Sequence, residues 1–434
     1  MSIPEIERQK PDEIRKFQEA KLRETLQYVA VHSPYYKNLF ISQGIDISKI
    51  KTLDDLSKLP VTDKEQLQKN NSSFICVPRE NIIDYVTTSG TLGDPVTFVL
   101  TEKDLERLAY NEYLSFTTTG GSNMDIYQLM TTIDRRFMAG LAYFLGARKL
   151  GAGMIRVGPG IPELQWDSIM RINPTVFITV PSFLPRLIDY AVKHEIDYRN
   201  SSITKAICIG EPIRNSDFSF NTLGASIREK WNIGLFSTYA STEMATAFTE
   251  CGEGCGGHHH PEMIIIEFLD EMNRPVAEGT PGEITITTLG VEGMPLIRFK
   301  TGDIADFYTS PCRCGRNTLR LGPIIGRKKQ MIKYKGTSLY PPALYDILDT
   351  SDGIINYIVE VFTNEIGTDE ILIRIGTEQG GEKFEKEIKD HFRAKLRVSP
   401  SVRFEDPEKI TIALNSGTGR KPAKFIDQRH GSTS

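Results

Sequence analysis

The stretch Val86-Thr-Thr-Ser-Gly-Thr-Leu-Gly-Asp-Pro95 places a run of hydroxyls and glycines directly after a β-rich segment, Ile82 to Val86. Small residues let backbone N–H groups come close to an oxyanion, and Thr and Ser hydroxyls add neutral donors. Residues Thr87, Thr88, Ser89, Gly90, Thr91 and Gly93 therefore suit a phosphate. The Gly-x-x-x-x-Gly-Lys-Ser/Thr pattern of a Walker A loop is absent, and Asp94 stands near where a phosphate-binding lysine would be expected. Taken alone, the stretch also fits a polar turn between two strands.

Upstream, the first eighty residues read as helical and amphipathic, with Pro11-Asp-Glu at a helix start and Thr62-Asp-Lys-Glu65 as a capping box. Downstream, strand and helix patterns alternate. A strand near Ile82 to Val86 precedes a helix from Thr101, capped with Asp104. Strands at Ile126–Ile133, Met154–Val157, Thr175–Val180 and Ala206–Ile209 are separated by helices at Phe137–Leu150, Leu164–Arg171 and Ser182–Lys193. Such succession predicts βαβ units and a mainly parallel sheet, whose ligands bind beyond the carboxyl ends of the strands. Both Thr87–Gly93 and Gly210–Pro212 are expected there. Beyond Gly234 the texture is strand-rich, with strands at Met263–Phe268, Gly282–Thr287 and Leu296–Phe299. A final α+β segment after Gly326 has strands at Tyr357–Thr363 and Glu370–Gly376 and a helix from Glu382 to Leu396.

The fold class is thus α/β: a large N-terminal domain, 1–325, with a β-rich part over about 235–325, and a small α+β domain, 326–434. A chain of 434 residues is long enough for such a division and for a large core. Lys+Arg 52 against Asp+Glu 56 leaves a net charge of −4, so no electrostatic footprint points to nucleic acid or an anionic membrane. Small-molecule partners are expected instead. No apolar run approaches the ~20 residues of a membrane span, and residues 1–10 lack the apolar core of a signal peptide, which together suggest a cytoplasmic location.

Six cysteines are too sparse for a disulfide scaffold. Cys251 and Cys255 precede His258-His259-His260, and Cys312-Arg-Cys314 follows across an intervening β-rich stretch. Thiolates and imidazoles suit tetrahedral Zn²⁺, and four protein ligands with no open position make a structural site. Thiols on loops beside a solvated His run are the alternative. Cys76 and Cys208 sit in apolar strands and read as core.

Further segments recur in a fixed order: Gly210-Glu-Pro212, Tyr239-Ala-Ser-Thr-Glu243, Phe299-Lys-Thr-Gly-Asp303, Gly326-Arg-Lys-Lys329 running into Ile332-Lys-Tyr-Lys-Gly336, and Gly417-Thr-Gly-Arg-Lys421. In this order and at these separations they resemble the acyl-adenylate-forming superfamily and, within it, the phenylacetate–coenzyme A ligase family. The resemblance runs from Tyr35-Tyr36 to Asp427-Gln-Arg429.

It implies an enzyme that converts an aromatic or arylacetic acid, ATP and coenzyme A into acyl-CoA, AMP and pyrophosphate. Thr88, Ser89, Gly90 and Thr91 would bind the phosphates. Tyr239 would pack on adenine, within the nucleotide-binding segment that includes Ala240 and Ser241; Thr242 would lie near the α-phosphate and Glu243 would hold Mg²⁺. Gly210, Glu211 and Pro212 would wall the adenine pocket, and Asp303 would bind the ribose hydroxyls. Lys329 matches the hinge of the mobile C-terminal domain. Lys335 would belong to the face used in thioester formation. Counting back from Asp427-Gln-Arg429 places Lys421 on the catalytic lysine, although Arg420 stands where a glycine is usual, and Lys424 is the alternative. The zinc ligands would be Cys251, His258, Cys312 and Cys314, with Cys255 able to replace one of them. Phe137, Tyr143 and Ala240 are candidates for an acid pocket, though core packing explains the first two equally well. A carrier-protein thiol or an amine as acyl acceptor, or a non-catalytic nucleotide-binding relative, would look similar. The sequence is silent on oligomeric state, a homodimer included.

Overall fold

The structure, a computed structural model, describes residues 3–88, 95–334, 337–364, 369–415 and 424–429. By contacts the chain divides into two compact units. The first holds 3–88, 95–301 and 305–324, and the second 302–304 and the residues from 325 on.

The lead-in comprises helices α1 (Glu5–Arg8), α2 (Pro11–His32), α3 (Pro34–Ser42) and α4 (Lys64–Lys69). Proline opens α2 and α3 at a position where its missing N–H has no intrahelical partner to lose. The cap of α4 differs from the expected one. Asp63, not Thr62, closes the box, with Gln66 as its partner. Thr62 is unavailable because its hydroxyl donates to the Ile297 carbonyl at 2.9 Å and its amide to Arg298 O.

Among the described residues, strands β1 (Asp84–Thr87) and β2 (Thr97–Leu100) form a two-stranded antiparallel sheet, with Thr87 opposite Thr97. The expectation that this segment opens the parallel sheet is therefore corrected. A parallel crossover needs about a dozen or more residues, and 88–96 are too few. Thr87 and Thr88 sit at the end of a hairpin rather than at a parallel-strand terminus.

The alternation then follows as expected: α5 (Glu102–Thr118), β3 (Ile126–Leu129), α6 (Met138–Leu150), β4 (Gly153–Arg156), α7 (Pro162–Ile172), β5 (Val176–Thr179), α8 (Phe183–Lys193), β6 (Lys205–Ile209), α9 (Thr222–Lys230) and β7 (Gly234–Ser241). Thr101 and Asp104 form the capping box of α5. Strands β4, β3, β5, β6 and β7 are parallel neighbours in that order. Side chains alternate across this sheet and both faces are covered. Phe177, Ala206 and Cys208 pack with Trp166 and Trp231, whereas Val176, Ile178 and Ile207 pack with Phe116 and Tyr143.

The β-rich part continues the same sheet through β8 (Thr246–Glu250), β9 (Gly257–His258), β10 (Ile264–Leu269), β11 (Gly282–Thr288), β12 (Phe299–Tyr308) and β13 (Arg320–Arg327), giving eleven strands in the order β10-β11-β12-β13-β9-β8-β7-β6-β5-β3-β4. The expected strand at Leu296–Phe299 begins only at Phe299. Arg298, at φ 45°, turns the backbone and sends its guanidinium inward, where it donates to both Glu267 carboxylate oxygens (3.0 and 2.9 Å) and to the Leu59 carbonyl at 2.6 Å.

The second unit contains the hairpin β14 (Ile332–Tyr334) and β15 (Thr337–Leu339), then α10 (Pro341–Asp349), β16 (Asn356–Thr363), β17 (Asp369–Gly376), α11 (Glu382–Leu396), β18 (Ser401–Glu405), α12 (Pro407–Asn415) and β19 (Phe425–Asp427). Its main sheet has the order β18-β17-β16-β19. Among the described residues, no helix is long and apolar enough to cross a membrane.

Because Arg298 is only 2% exposed, removing its carboxylate partner leaves a buried unpaired charge. Glu267→Ala is expected to cost about 3–5 kcal/mol, read by urea titration of the folded chain; an unchanged midpoint would show that this pair does not anchor the lead-in.

Candidate active site

Parallel pairing sends β3, β5, β6 and β7 out along one edge of the sheet, the usual ligand edge of such folds. Strand β6 runs into Gly210-Glu211-Pro212, where Gly210 takes φ 75° to make the turn. The Glu211 carboxylate accepts from the amide and the hydroxyl of Ser182, both at 3.1 Å, which pins this loop to the segment following β5. Strand β7 carries Tyr239, half-buried, and Ala240, exposed, then turns through Ser241, Thr242 and Glu243 into β8. The Ser241 hydroxyl oxygen accepts from the Met244 amide at 3.3 Å, and Ala245 closes the turn at φ 48°. Beneath it, buried hydroxyls of Thr238, Thr249 and Ser115 join β7 and β8 to α5.

Thr87 and Thr88 are both buried. The Thr87 amide donates to the Arg136 carbonyl at 2.9 Å, and Thr88 exchanges bonds with Val96 through its amide (3.0 Å) and its hydroxyl oxygen (3.1 Å). Ser89, Gly90 and Thr91 lie outside the described residues, as do Lys335 and Lys421. Asp303 lies buried in β12 and accepts from Arg327 Nε at 3.1 Å. In the second unit Lys329 is exposed in a short 3-10 turn, and its carbonyl accepts from Arg429 at 3.2 Å. Lys424 is engaged within that unit, 3.1 Å from the Tyr357 hydroxyl and 3.7 Å from Asp349. Phe137 is half-buried at the start of α6, whereas Tyr143 is 3% exposed in the core beside Phe116.

The cysteine groups converge. Donor atoms of Cys251, His258, Cys312 and Cys314 all lie within 4.8 Å of one another. Cys251 and Cys312 sulfurs are 3.7 Å apart and Cys314 Sγ is 3.5 Å from His258 Nε2, which matches the ~3.7 Å edge of a tetrahedron with 2.3 Å metal–sulfur bonds. Cys255 Sγ reaches 3.8 Å from Cys312 Sγ. Burial lowers His258 to about 3, so the imidazole is neutral and able to ligate. Although burial opposes it, hydrogen bonds from Arg316 lower the Cys314 thiol. Arg316 in turn donates to Glu7 at 2.6 Å, and Glu7 meets His260 Nδ1 at 2.5 Å. The residues present therefore fit a closed tetrahedral metal.

The AMP-binding enzyme family model matches residues 34–293. The chain belongs to this family. It is 28% identical over 433 residues to the phenylacetate–coenzyme A ligase of Thermus thermophilus, covering 95% of this chain and 94% of the relative. With the phenylacetate–coenzyme A ligase of Escherichia coli it shares 27% over 350 residues, 78% of this chain and 77% of the relative. Its fold is similar to that of a 2-hydroxyisobutyryl-CoA ligase solved in the postadenylation state, with TM-score 0.84, 24% identity, and 98% and 92% of the two chains covered.

In this AMP-binding enzyme, sequence reasoning missed two features of the site edge. Arg107, on α5, donates to the carbonyls of Ala245 (2.6 Å), Met263 (2.5 Å) and Leu289 (2.8 Å) and so holds the turn after Glu243. An arginine in an amphipathic helix reads as solvated, so no local signal marks it. Arg135 and Arg136 are exposed and both left-handed at φ 58°, in the loop whose carbonyl binds Thr87.

Glu112 lies buried within α5. It packs under Gly146 of α6, and burial raises its carboxyl to about 8, with an opposing bond from Asn111. The folded state therefore favours the neutral acid. Stability is undiminished below the ordinary carboxyl range and falls as pH rises toward 8, by up to ~1.4 kcal/mol per pH unit. Glu112→Gln is expected to raise the melting temperature at pH 8 and leave it nearly unchanged at pH 4.5; an equal effect at both would contradict a neutral Glu112.

Proposed function

We propose that the protein is an AMP-forming acid–coenzyme A ligase acting on an aromatic or arylacetic acid. The observation that carries this reading is the Tyr239–Glu243 turn standing on the same sheet edge as Gly210-Glu211-Pro212, in a chain similar along its length to phenylacetate–coenzyme A ligases.

In the first half-reaction an oxygen of the acid attacks the α-phosphorus of ATP, the bond to pyrophosphate breaks, and an acyl-adenylate forms. Positioning and charge neutralisation do most of the work. Tyr239, flanked by Ala240 and Ser241, faces adenine, and Gly210, Glu211 and Pro212 wall it. Thr242 meets the α-phosphate. Asp303 takes the ribose hydroxyls, as a carboxylate acceptor suits a vicinal diol. Thr87, Thr88, Ser89, Gly90 and Thr91 receive the outer phosphates, and Arg135 and Arg136 supply positive charge that the lysine-free loop lacks. Glu243 would hold Mg²⁺, whose contribution when bound is to offset phosphate charge. Lys421 steadies the negative charge growing on the acid and α-phosphate oxygens. In the second half-reaction the coenzyme A sulfur attacks the acyl carbon, the acyl–phosphate bond breaks and AMP leaves; Lys335 would serve this step and Lys329 would act as the hinge. Phe137 and Ala240 line the acid pocket. Cys251, His258, Cys312 and Cys314 would hold a structural Zn²⁺, which would contribute to folding rather than to the reaction.

Pyrophosphate exchange into ATP is expected with Mg²⁺ and an arylacetate, and AMP release should require both acid and free coenzyme A. Exchange without coenzyme A-dependent turnover would favour a carrier-protein or amine acceptor, and no exchange across a broad acid panel would refute the ligase. Lys421→Ala should slow adenylation by on the order of 10²–10³, while preformed acyl-adenylate still yields thioester.

About one zinc per chain is expected by metal analysis, with Cys312→Ser lowering both metal content and melting temperature. Metal-free, fully stable protein prepared without chelator would remove the zinc.

A further inference from the structure

The Arg214 guanidinium is bound on every side. Its Nε and Nη2 donate to the two Glu250 carboxylate oxygens at 2.6 and 3.0 Å, Nη1 donates to the Phe218 carbonyl at 2.8 Å, and the plane lies 4.3 Å from the Phe220 ring centre. Both charged side chains are withdrawn from solvent, with 12% and 1% exposure. A forked, buried pair of this kind fixes geometry more strictly than a point charge can.

What the pair joins is informative. Arg214 follows Gly210-Glu211-Pro212-Ile213, the loop beyond β6. Glu250 ends β8 immediately before Cys251, and its Oε1 also accepts the Ser237 amide of β7 at 2.7 Å, two residues before Tyr239. The guanidinium rests on the turn that follows, where Gly254 donates to the Cys251 carbonyl at 3.0 Å. A Cβ at Gly254 would stand 2.5 Å from Arg214 Nη2 and 2.9 Å from its central carbon. The carboxylate therefore ties β7, two residues before Tyr239, to Arg214 in the loop after β6, and the arginine lies between that loop and the Cys251–Cys255 turn.

We propose that Arg214 is a positioning residue through which the Cys251–Cys255 turn, anchored on Glu250, fixes the adenine-side wall Gly210-Glu211-Pro212. The inference rests on the nucleotide site assigned above. A wall held in advance need not be ordered when the nucleotide binds, so releasing it weakens adenine binding without touching the acid.

The test is calorimetric titration of AMP into the full chain carrying its metal, with melting temperatures recorded alongside. Arg214→Met should weaken AMP binding on the order of tenfold, and Arg214→Lys, which keeps the charge but loses the fork, by less. KM for the acid should stay unchanged in both. Gly254→Ala, which pushes on the guanidinium from the cysteine turn, should weaken AMP binding in the wild-type background but add nothing to Arg214→Met, the non-additivity expected of one linked network. If Arg214→Met does not fold, the same comparison is made between Gly254→Ala alone and combined with Arg214→Lys. The proposal is overturned if the variants lose melting temperature while AMP affinity stays within twofold, or if the Gly254 and Arg214 effects simply add. Wild-type protein that binds no AMP would instead overturn the nucleotide site itself.

Discussion

Strand β7 has a parallel neighbour on one side and an antiparallel neighbour on the other, and the large unit is organised by that change. Parallel pairing with β6 gives the two strands a common carboxyl edge, so the loop at Gly210 and the turn at Thr242 face the same space. Antiparallel pairing with β8 returns the chain at once, with Ser241 opposite Thr246, so the turn must be tight and its backbone groups must find partners locally. Arg107 and the Ser241 hydroxyl supply them. Before β7 the strands are joined by helical crossovers, and after it the chain turns directly back into the antiparallel strands β8 and β9.

The same order explains how a dispersed cysteine set becomes one cluster. In β8, Thr249 lies opposite His258 of β9, and on the other side His258 lies opposite Arg320 of β13. Cys251 leaves β8 just past that register, and Cys312 and Cys314 stand shortly before β13. Three strands in the order β8-β9-β13 thus gather donors separated by some sixty residues. The adjacent histidines divide their tasks. His258 faces the sulfurs, His259 Nε2 lies 2.6 Å from the Ile264 carbonyl, and His260 pairs with Glu7.

Much of this was legible in the sequence wherever the signal is local. Alternating apolar periods placed the strands and helices from Ile126 to Ile209, and the helix Glu382–Leu396 was read to the residue. Thiol and imidazole spacing announced the cluster, and the ordered motifs pointed to adenylate chemistry. The failures have two causes, a partner distant in sequence and a link too short for a crossover. Thr62 looked like a helix cap until Ile297 claimed its hydroxyl, and β1 looked like a parallel strand until the short link to β2 made a hairpin. Arg107 and Arg214 carry no local signal, because the carbonyls and the carboxylate that hold them lie far along the chain.

Helix α1 shows how far such long-range anchoring extends. Four residues, Glu5–Arg8, cannot repay the cost of nucleating a helix in water. Its fully buried Glu7 would be prohibitive without partners. Arg316 and His260 supply opposite charge and hydrogen bonds that hold this carboxyl below the usual range against its burial. Asn317 then binds the carbonyls of Glu7, Arg8 and Gln9 at 2.7, 2.8 and 3.2 Å, satisfying the open end of the helix. Every one of these partners lies beside Cys314 or His258. The first turn of the chain is therefore specified not by its own sequence but by the loop that carries the cysteines, and its order depends on theirs.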